Sequence, residues 1–279
     1  RPVNRAPEYP MTAEPLLLTS CQAPVSDPLW RGLAGYLNSR LEQPVSFVVD
    51  LPWKERLAQL ADGRLHAGWI CGGYYVAMTE RDEADWVLLA APVPDEVRYQ
   101  HQPVYFADVV VRRDHPAADF AGLRNSRLAI NEPGSWSGYH ALRYQLARLC
   151  ESPGFFSEMA VSGGHQQSLE WVLRGRADTA AIDSTVMDAL IRENHALVHR
   201  LRVLSSIGPA PMPPWVVQRR LAPELRRDLR GLLLGMHEDP EGAAILAAHG
   251  MARFARMEDH DYRPLRSMLE LAATVSLPA

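Results

Sequence analysis

Ser162-Gly163-Gly164-His165-Gln166-Gln167-Ser168-Leu169-Glu170-Trp171-Val172-Leu173-Arg174-Gly175-Arg176-Ala177-Asp178-Thr179-Ala180-Ala181-Ile182-Asp183-Ser184 carries the clearest fold information in this chain. Two glycines lead into a helix over His165–Arg174. Its inward positions are Leu169, Val172 and Leu173, and Gly175 stops it. A short strand follows at Thr179–Ile182 and ends at Asp183. A second helix then runs from about Thr185 to Asn194. Strands and amphipathic helices in alternation are the mark of an α/β fold.

The same alternation extends both ways. Upstream, Leu128–Asn131 reads as a strand and Pro133-Gly134 as a turn. A helix then opens at Ser135 or Ser137 and runs to about Cys150, with Leu142, Leu146 and Leu149 as its apolar stripe. Closer to the start, Leu16–Cys21, Val45–Leu51 and Ala67–Cys71 read as strands, the last running into Gly72-Gly73. Between them lie a helix started by Ser26-Asp27-Pro28, with Leu29, Leu33, Leu37 and Leu41 on one face, and a helix from Trp53 to Asp62 closed by Gly63. Trp86–Ala91 and Tyr105–Arg112 are further strands. Downstream, Leu201–Ser206 and Trp215–Gln218 are strands, and Gly208–Pro214 reads as a rigid Pro-rich loop. The remainder reads as helical: Pro223–Met236, Pro240–His249 and Pro264–Ala273. A βαβ unit of its own over roughly 110–205 predicts two units joined by two crossings.

Composition narrows the function classes. The 279 residues are 47% hydrophobic and 22% charged, ordinary for a folded chain. The net charge of −4 and a pI near 6.2 argue against nucleic-acid binding. No apolar run reaches the roughly 18 residues of a membrane helix. Cys21, Cys71 and Cys150 are too few for a disulfide framework or zinc cluster. Arg1–Pro10 has no apolar leader segment, so either a signal has been removed or the protein is cytoplasmic.

Three segments carry candidate chemistry. Asn131-Glu132-Pro133-Gly134-Ser135-Trp136-Ser137-Gly138-Tyr139 ends a strand and opens a helix. Free N–H groups at a helix start attract anions, Ser135 and Ser137 add hydroxyls, and Gly138 would let a ligand approach the backbone. The bland alternative is an ordinary serine cap. His165, in the first turn of its helix, either faces a cleft as a donor or faces solvent. Asp183, at a strand's carboxyl end, either meets a ligand or caps the next helix. A carboxylate there suits a protonated ligand oxygen or a cationic group. The set is not a P-loop, and neither serine sits in a nucleophile elbow, so a Ser135–His165–Asp183 triad has little support. His195-x3-His199 and His260 beside Asp259 and Asp261 are weak metal hints. Trp69, Tyr74 and Tyr75 flank Gly72-Gly73, and Trp136 lies within the anion-site turn.

Taken together, Gly163-Gly164-His165-x2-Ser168-Leu169-x2-Val172-x2-Gly175-x2-Asp178-x-Ala180-Ala181-x-Asp183-Ser184 resembles the signature block of phosphate/phosphite/phosphonate ABC-transporter substrate-binding proteins, the PhnD-like members of the type 2 periplasmic binding fold. Pro133–Gly138 is similar to that family's Ser/Thr-rich turn, Gly68-Trp69-Ile70 into Tyr75-Val76 to its third-strand segment, and Tyr105 to its tyrosine before the crossover. The chain departs from the pattern at Trp136, where the family has a hydroxyl, and at Ile70.

The resemblance implies two α/β lobes closing on a small oxyanion. Lobe one would be residues 1–107 with 207–279, and lobe two residues 108–206. Ser135, Trp136 through its N–H, Ser137 and Gly138 would hold the anionic head. His165 would add a donor, Asp183 would lie near the ligand, and Tyr105 and Tyr75 would line the cleft. The implied function is non-catalytic capture for an ABC importer, by a monomer without cofactor or metal, located in the periplasm or lipid-anchored outside the cytoplasm. Its partners would be a small anionic ligand and an ABC permease, with no nucleic acid and no membrane insertion. Two alternatives stay open: a sensing module for a signalling partner, and a lyase or synthase on the same fold, for which Lys54 and Cys71 are the candidate reactive groups.

Overall fold

The computed structural model describes residues 14–151 and 154–278. The amino-terminal stretch read above for a leader, Arg1–Pro10, lies outside them. The strands are β1 (Leu16–Ser20), β2 (Val45–Val48), β3 (Ala67–Trp69), β4 (Trp86–Pro94), β5 (Val104–Arg112), β6 (Arg127–Ile130), β7 (Glu158–Val161), β8 (Thr179–Asp183), β9 (Leu201–Pro211), β10 (Trp215–Gln218) and β11 (Met251–Ala255). The α-helices are α1 (Asp27–Asn38), α2 (Trp53–Ala61), α3 (Gly72–Glu80), α4 (Ala141–Arg148), α5 (His165–Leu173), α6 (Ser184–Glu193), α7 (Leu197–Arg200), α8 (Pro223–Gly235), α9 (Pro240–Ala248) and α10 (Arg263–Ala272).

Two mixed sheets organise these elements. The first has the order β11-β4-β10-β3-β1-β2, and the second β7-β6-β8-β5-β9. In the first, β1 pairs in parallel with β2 and β3, and β10 runs antiparallel between β3 and β4. In the second, β6 is parallel to β7 and β8, while β5 is antiparallel to β8 and β9. The chain crosses from β4 to β5 and returns from β9 to β10. The two crossings are stapled where the Met212 N–H donates to the Pro103 carbonyl at 2.8 Å. The expected switch points near 107 and 207 lie inside the paired ribbon of β5 and β9.

The helical periodicities find their partners. Leu29, Leu33 and Leu37 of α1 are buried, and Trp30 stacks among Trp69 and Trp215 with ring centroids 4.3 and 5.3 Å away. Leu169 and Val172 of α5 are buried on the second sheet. Leu142 and Leu146 of α4 are buried too, but Leu149 is exposed at the helix end.

Five elements depart from the reading of the sequence. The Pro-rich stretch is not wholly a loop, because β9 continues through Pro211. As the edge strand it can do without the N–H groups that proline lacks. Met251–Ala255 is a strand in a region expected to be all helix. Glu158–Val161, mostly exposed at the other edge of the second sheet, shows no apolar alternation to reveal it. Gly72-Gly73 begins the helix α3 and does not merely end a strand. His195 precedes α7, so His195 and His199 do not share the helix that their spacing suggested. Among the described residues no group of three or more His, Cys, Asp or Glu is placed to hold a metal ion, and no helix is long and apolar enough to cross a membrane.

Candidate functional site

A cavity of about 260 Å³ opens where the carboxyl ends of strands from both sheets face one another. From the first sheet it receives the β1–α1 loop, the start of α2 and the β3–α3 junction. From the second it receives the β6–α4 and β7–α5 turns, Tyr105 of β5 and the end of β8. Its volume suits a small ligand.

The β6–α4 turn supplies the best-formed part. Ser135 caps the helix, its hydroxyl oxygen accepting from the Gly138 N–H at 3.1 Å. The first turn, Trp136–His140, is π-helical before α4 begins. Ser137 Oγ lies 3.1 Å from His165 Nε2, and Asn131 Nδ2 lies 3.2 Å from the same nitrogen. His165 itself is positioned by Gly163, whose φ of +99° suits a residue without a Cβ, and by Gly164, which precedes α5. The Gly163 N–H donates to the Asn131 carbonyl at 3.0 Å, tying the two turns together.

Electrostatics keep this corner uncharged on one side and acidic on the other. Burial pushes the His165 pKa down to about 4, against a smaller opposing pull from the Ala181 carbonyl, so the ring is neutral near pH 7. Burial pushes Asp183 up to about 6, while Thr185 and the Val186 N–H pull it back. Asp183 Oδ1 accepts from the Thr185 N–H at 2.8 Å and the Thr185 hydroxyl at 2.7 Å, so this carboxylate caps α6 and faces the cavity at once. The Tyr105 hydroxyl is buried in the cavity wall without a hydrogen-bond partner, and burial raises its pKa. No lysine or arginine lines the cavity among the described residues.

The structure therefore brings Ser135, Ser137, His165, Asp183 and Tyr105 to one cavity, and leaves three other expected residues outside its wall. The Trp136 ring is fully buried, 5.9 Å from the Tyr144 ring. Gly138 makes room for Asn131 and not for a ligand: a Cβ there would meet Asn131 Oδ1 at 1.9 Å. Tyr75 packs on Tyr262, and its hydroxyl donates to Asp259 at 2.8 Å. The imagined triad is not assembled, since Asp183 bonds Thr185 and the Ser135 hydroxyl faces Gly138. The thiols of Cys21 and Cys71 line the cavity, but burial raises both, Cys21 to about 12, which keeps them protonated. Lys54 is exposed on α2, its Nζ 5.6 Å from the Trp53 ring.

Sequence reasoning assigned no role to Gln22, Trp53, Glu132, Gln166 or Gln167, which also line the cavity. Gln166 and Gln167 follow His165 directly, and that adjacency was the available signal. Tyr74, noted only as a neighbour of the glycine pair, spans the cleft. Its hydroxyl donates to Glu132 Oε2 at 2.8 Å, and the Gly134 N–H donates to the same oxygen at 3.0 Å.

Comparison with known proteins places this geometry. The family described as the periplasmic substrate-binding protein of the phosphonate ABC transporter matches residues 18–262. The binding-protein component of an ABC phosphonate transporter from Pseudomonas aeruginosa is similar with a TM-score of 0.79, at 16% identity, over 92% of this chain and 86% of that one. PhnD1 from Prochlorococcus marinus, solved in complex with methylphosphonate, has a TM-score of 0.79 at 17% identity, over 93% of this chain and 98% of that one. The periplasmic aliphatic sulphonate binding protein SsuA from Escherichia coli has a TM-score of 0.63 at 15% identity, over 94% and 87%. The fold is that of the type 2 periplasmic binding proteins, two α/β lobes joined by two crossovers with a cleft between them. With the match running through nearly all of both lobes, the chain belongs to the family of periplasmic substrate-binding proteins of phosphonate ABC transporters.

Proposed function

We propose that this chain captures a small phosphorus oxyanion of the phosphonate or phosphate type in the cleft and delivers it to an ABC permease, without changing it chemically. One observation carries the reading. The hydroxyl of Ser137, the Ser135 turn and neutral His165 meet at the starts of α4 and α5, where N–H groups and helix dipoles favour an anion. Tyr105 adds a hydroxyl from β5. Asp183 accepts a hydrogen bond from a protonated oxygen of the ligand, so a singly protonated anion fits better than a fully ionised one.

Capture works by closure. Donors from both lobes meet only when the cleft is shut, so a ligand that contacts both selects the closed state. The lobes are taken as residues 1–107 with 207–279, and 108–206. Reactive groups are poorly supported: both cavity thiols are held protonated, and no carboxylate orients the His165 ring. Family membership implies a small ligand, a permease partner and a location outside the cytoplasm.

A thermal-shift panel tests the reading with phosphate, phosphite, methylphosphonate, 2-aminoethylphosphonate, sulfate and simple carboxylates. A ligand present at about 100 times its Kd adds roughly 2.7 kcal/mol of stability. A selective rise with a phosphorus oxyanion is expected. A rise only with sulfate or carboxylates would overturn the reading.

A further inference from the structure

The cleft holds no fixed positive charge. Among the described residues no Lys or Arg lines it, and His165 is neutral near pH 7. Two carboxyl side chains, Glu132 and Asp183, stand in its wall instead. The fully buried Tyr105 hydroxyl has no partner and lines the cavity beside Ser137 and Asp183, so the head of a ligand has donors at that end. Those donors are neutral. An oxyanion and two carboxyl groups shut into one site repel unless a cation accompanies them. A ligand that carries its own positive charge supplies that cation.

A second corner of the cavity is aromatic. Trp53 at the start of α2 and Tyr74 of α3 both line it, with ring centroids 5.7 Å apart and planes tilted by 59°. The Tyr74 hydroxyl donates to Glu132 Oε2 at 2.8 Å, which sets a carboxylate of the second lobe against two rings of the first. Oε2 also accepts from the Gly134 N–H, whereas Oε1 has no hydrogen bond among the described residues. Two ring faces and a carboxylate suit a cation. The acceptors decide which kind. A primary ammonium brings three N–H groups, and these three residues offer one free carboxylate oxygen. A quaternary ammonium brings none, and its methyl groups pack on the rings. Lys54 Nζ lies 5.6 Å from the Trp53 ring, but Lys54 is exposed and outside the cavity wall.

We infer that Trp53, Tyr74 and Glu132 form a subsite for a quaternary ammonium group, so that the preferred ligand is a zwitterion with a phosphonate head at one end and a trimethylammonium at the other. The inference rests on the function proposed above. Glu132 precedes Ser135 by three residues in the same turn, so a short alkyl spacer joins the two ends. The ammonium touches rings of one lobe and a carboxylate of the other, and it favours the closed state for that reason.

Isothermal titration calorimetry with four probes tests this: methylphosphonate, 2-aminoethylphosphonate, 2-(trimethylammonio)ethylphosphonate and its uncharged isostere 3,3-dimethylbutylphosphonate. The wild-type protein is expected to bind the trimethylammonio probe about ten- to thirtyfold tighter than the isostere, the scale of a desolvated cation–π contact, and tighter than the primary amine. Trp53→Leu and Glu132→Gln should each cut that ratio severalfold, and Trp53→Phe should keep part of it. The ratio is read within each variant, so a loss common to both probes drops out. Equal binding of the charged probe and its isostere by the wild-type protein overturns the inference. Tighter binding of the primary amine overturns it too, as does a ratio that survives both Trp53→Leu and Glu132→Gln. If methylphosphonate binds and the trimethylammonio probe gains nothing, only this inference falls. If none of the four binds and phosphate and phosphite shift nothing either, the proposed function falls with it.

Discussion

Gly138→Ala is a demanding test of the site geometry, because two effects of opposite sign compete. In an open helix position the change favours folding by about 0.5–1 kcal/mol. Here the new Cβ falls 1.9 Å from Asn131 Oδ1 and 2.5 Å from its Cγ. To regain ordinary contact the amide must retreat by about 1.5 Å, which overpacks a buried site at a cost of about 1–3 kcal/mol. Retreat also breaks the contact of Asn131 with His165 and leaves buried polar atoms unpaired, for a further penalty of about 1–3 kcal/mol. The clash wins, with a net loss of about 2–4 kcal/mol and a fall in Tm on the order of 5–10 °C. Gly35→Ala in α1 and Gly231→Ala in α8 serve as controls, since nothing lies within 4 Å of either added Cβ. Scanning calorimetry of the three variants, with methylphosphonate titrated into each, is the assay. Gly138→Ala melting with its controls and binding as the wild type does would refute the assignment of Asn131 as a support of His165.

Further predictions concern pH and closure. His165 and His140 are both pushed down to about 4 by burial, while their unfolded forms protonate near 6.5, so stability should fall as pH drops from about 6.5 to 4. Asp183, raised to about 6, runs the other way and gains stability as pH falls through 6. Two groups outweigh one, so Tm measured from pH 7 to 4.5 should decline, and His165→Gln should flatten the decline. Tyr74→Phe removes the hydrogen bond to Glu132 that spans the cleft, a contribution of about 1.5–3 kcal/mol for a bond to a charged group. Small-angle scattering of that variant should show a more open ligand-free protein, and an unchanged radius would count against Tyr74 as a clasp.

How far the sequence discloses this molecule depends on which interactions fix each part. The β8 strand and the helices on either side were legible because their apolar positions face one core, at Leu169, Val172 and Ile182. The anion corner was legible because capping serines and glycine turns are local devices. Gly72 and Gly73 misled, since they read as a stop and in fact open α3. Their reason is tertiary: a Cβ on Gly72 would strike Leu265, and one on Gly73 would press on the Gly134 carbonyl from the other lobe. The edge strand β7 hid because it has almost no buried face, and β9 was read only as far as Ser206 because prolines follow. Trp136 looked like a ligand contact by its neighbours in sequence, yet its ring turns into the core against Tyr144.

The central claim is that Ser137 and its neighbours hold the head of a phosphorus oxyanion. Calorimetric titration of methylphosphonate into the wild-type protein and Ser137→Ala tests it most directly. Loss of one hydrogen bond to a charged head corresponds to about 1.5–3 kcal/mol, so affinity should fall by roughly ten- to a hundredfold with Tm little changed. Equal affinity in the two proteins would contradict the account.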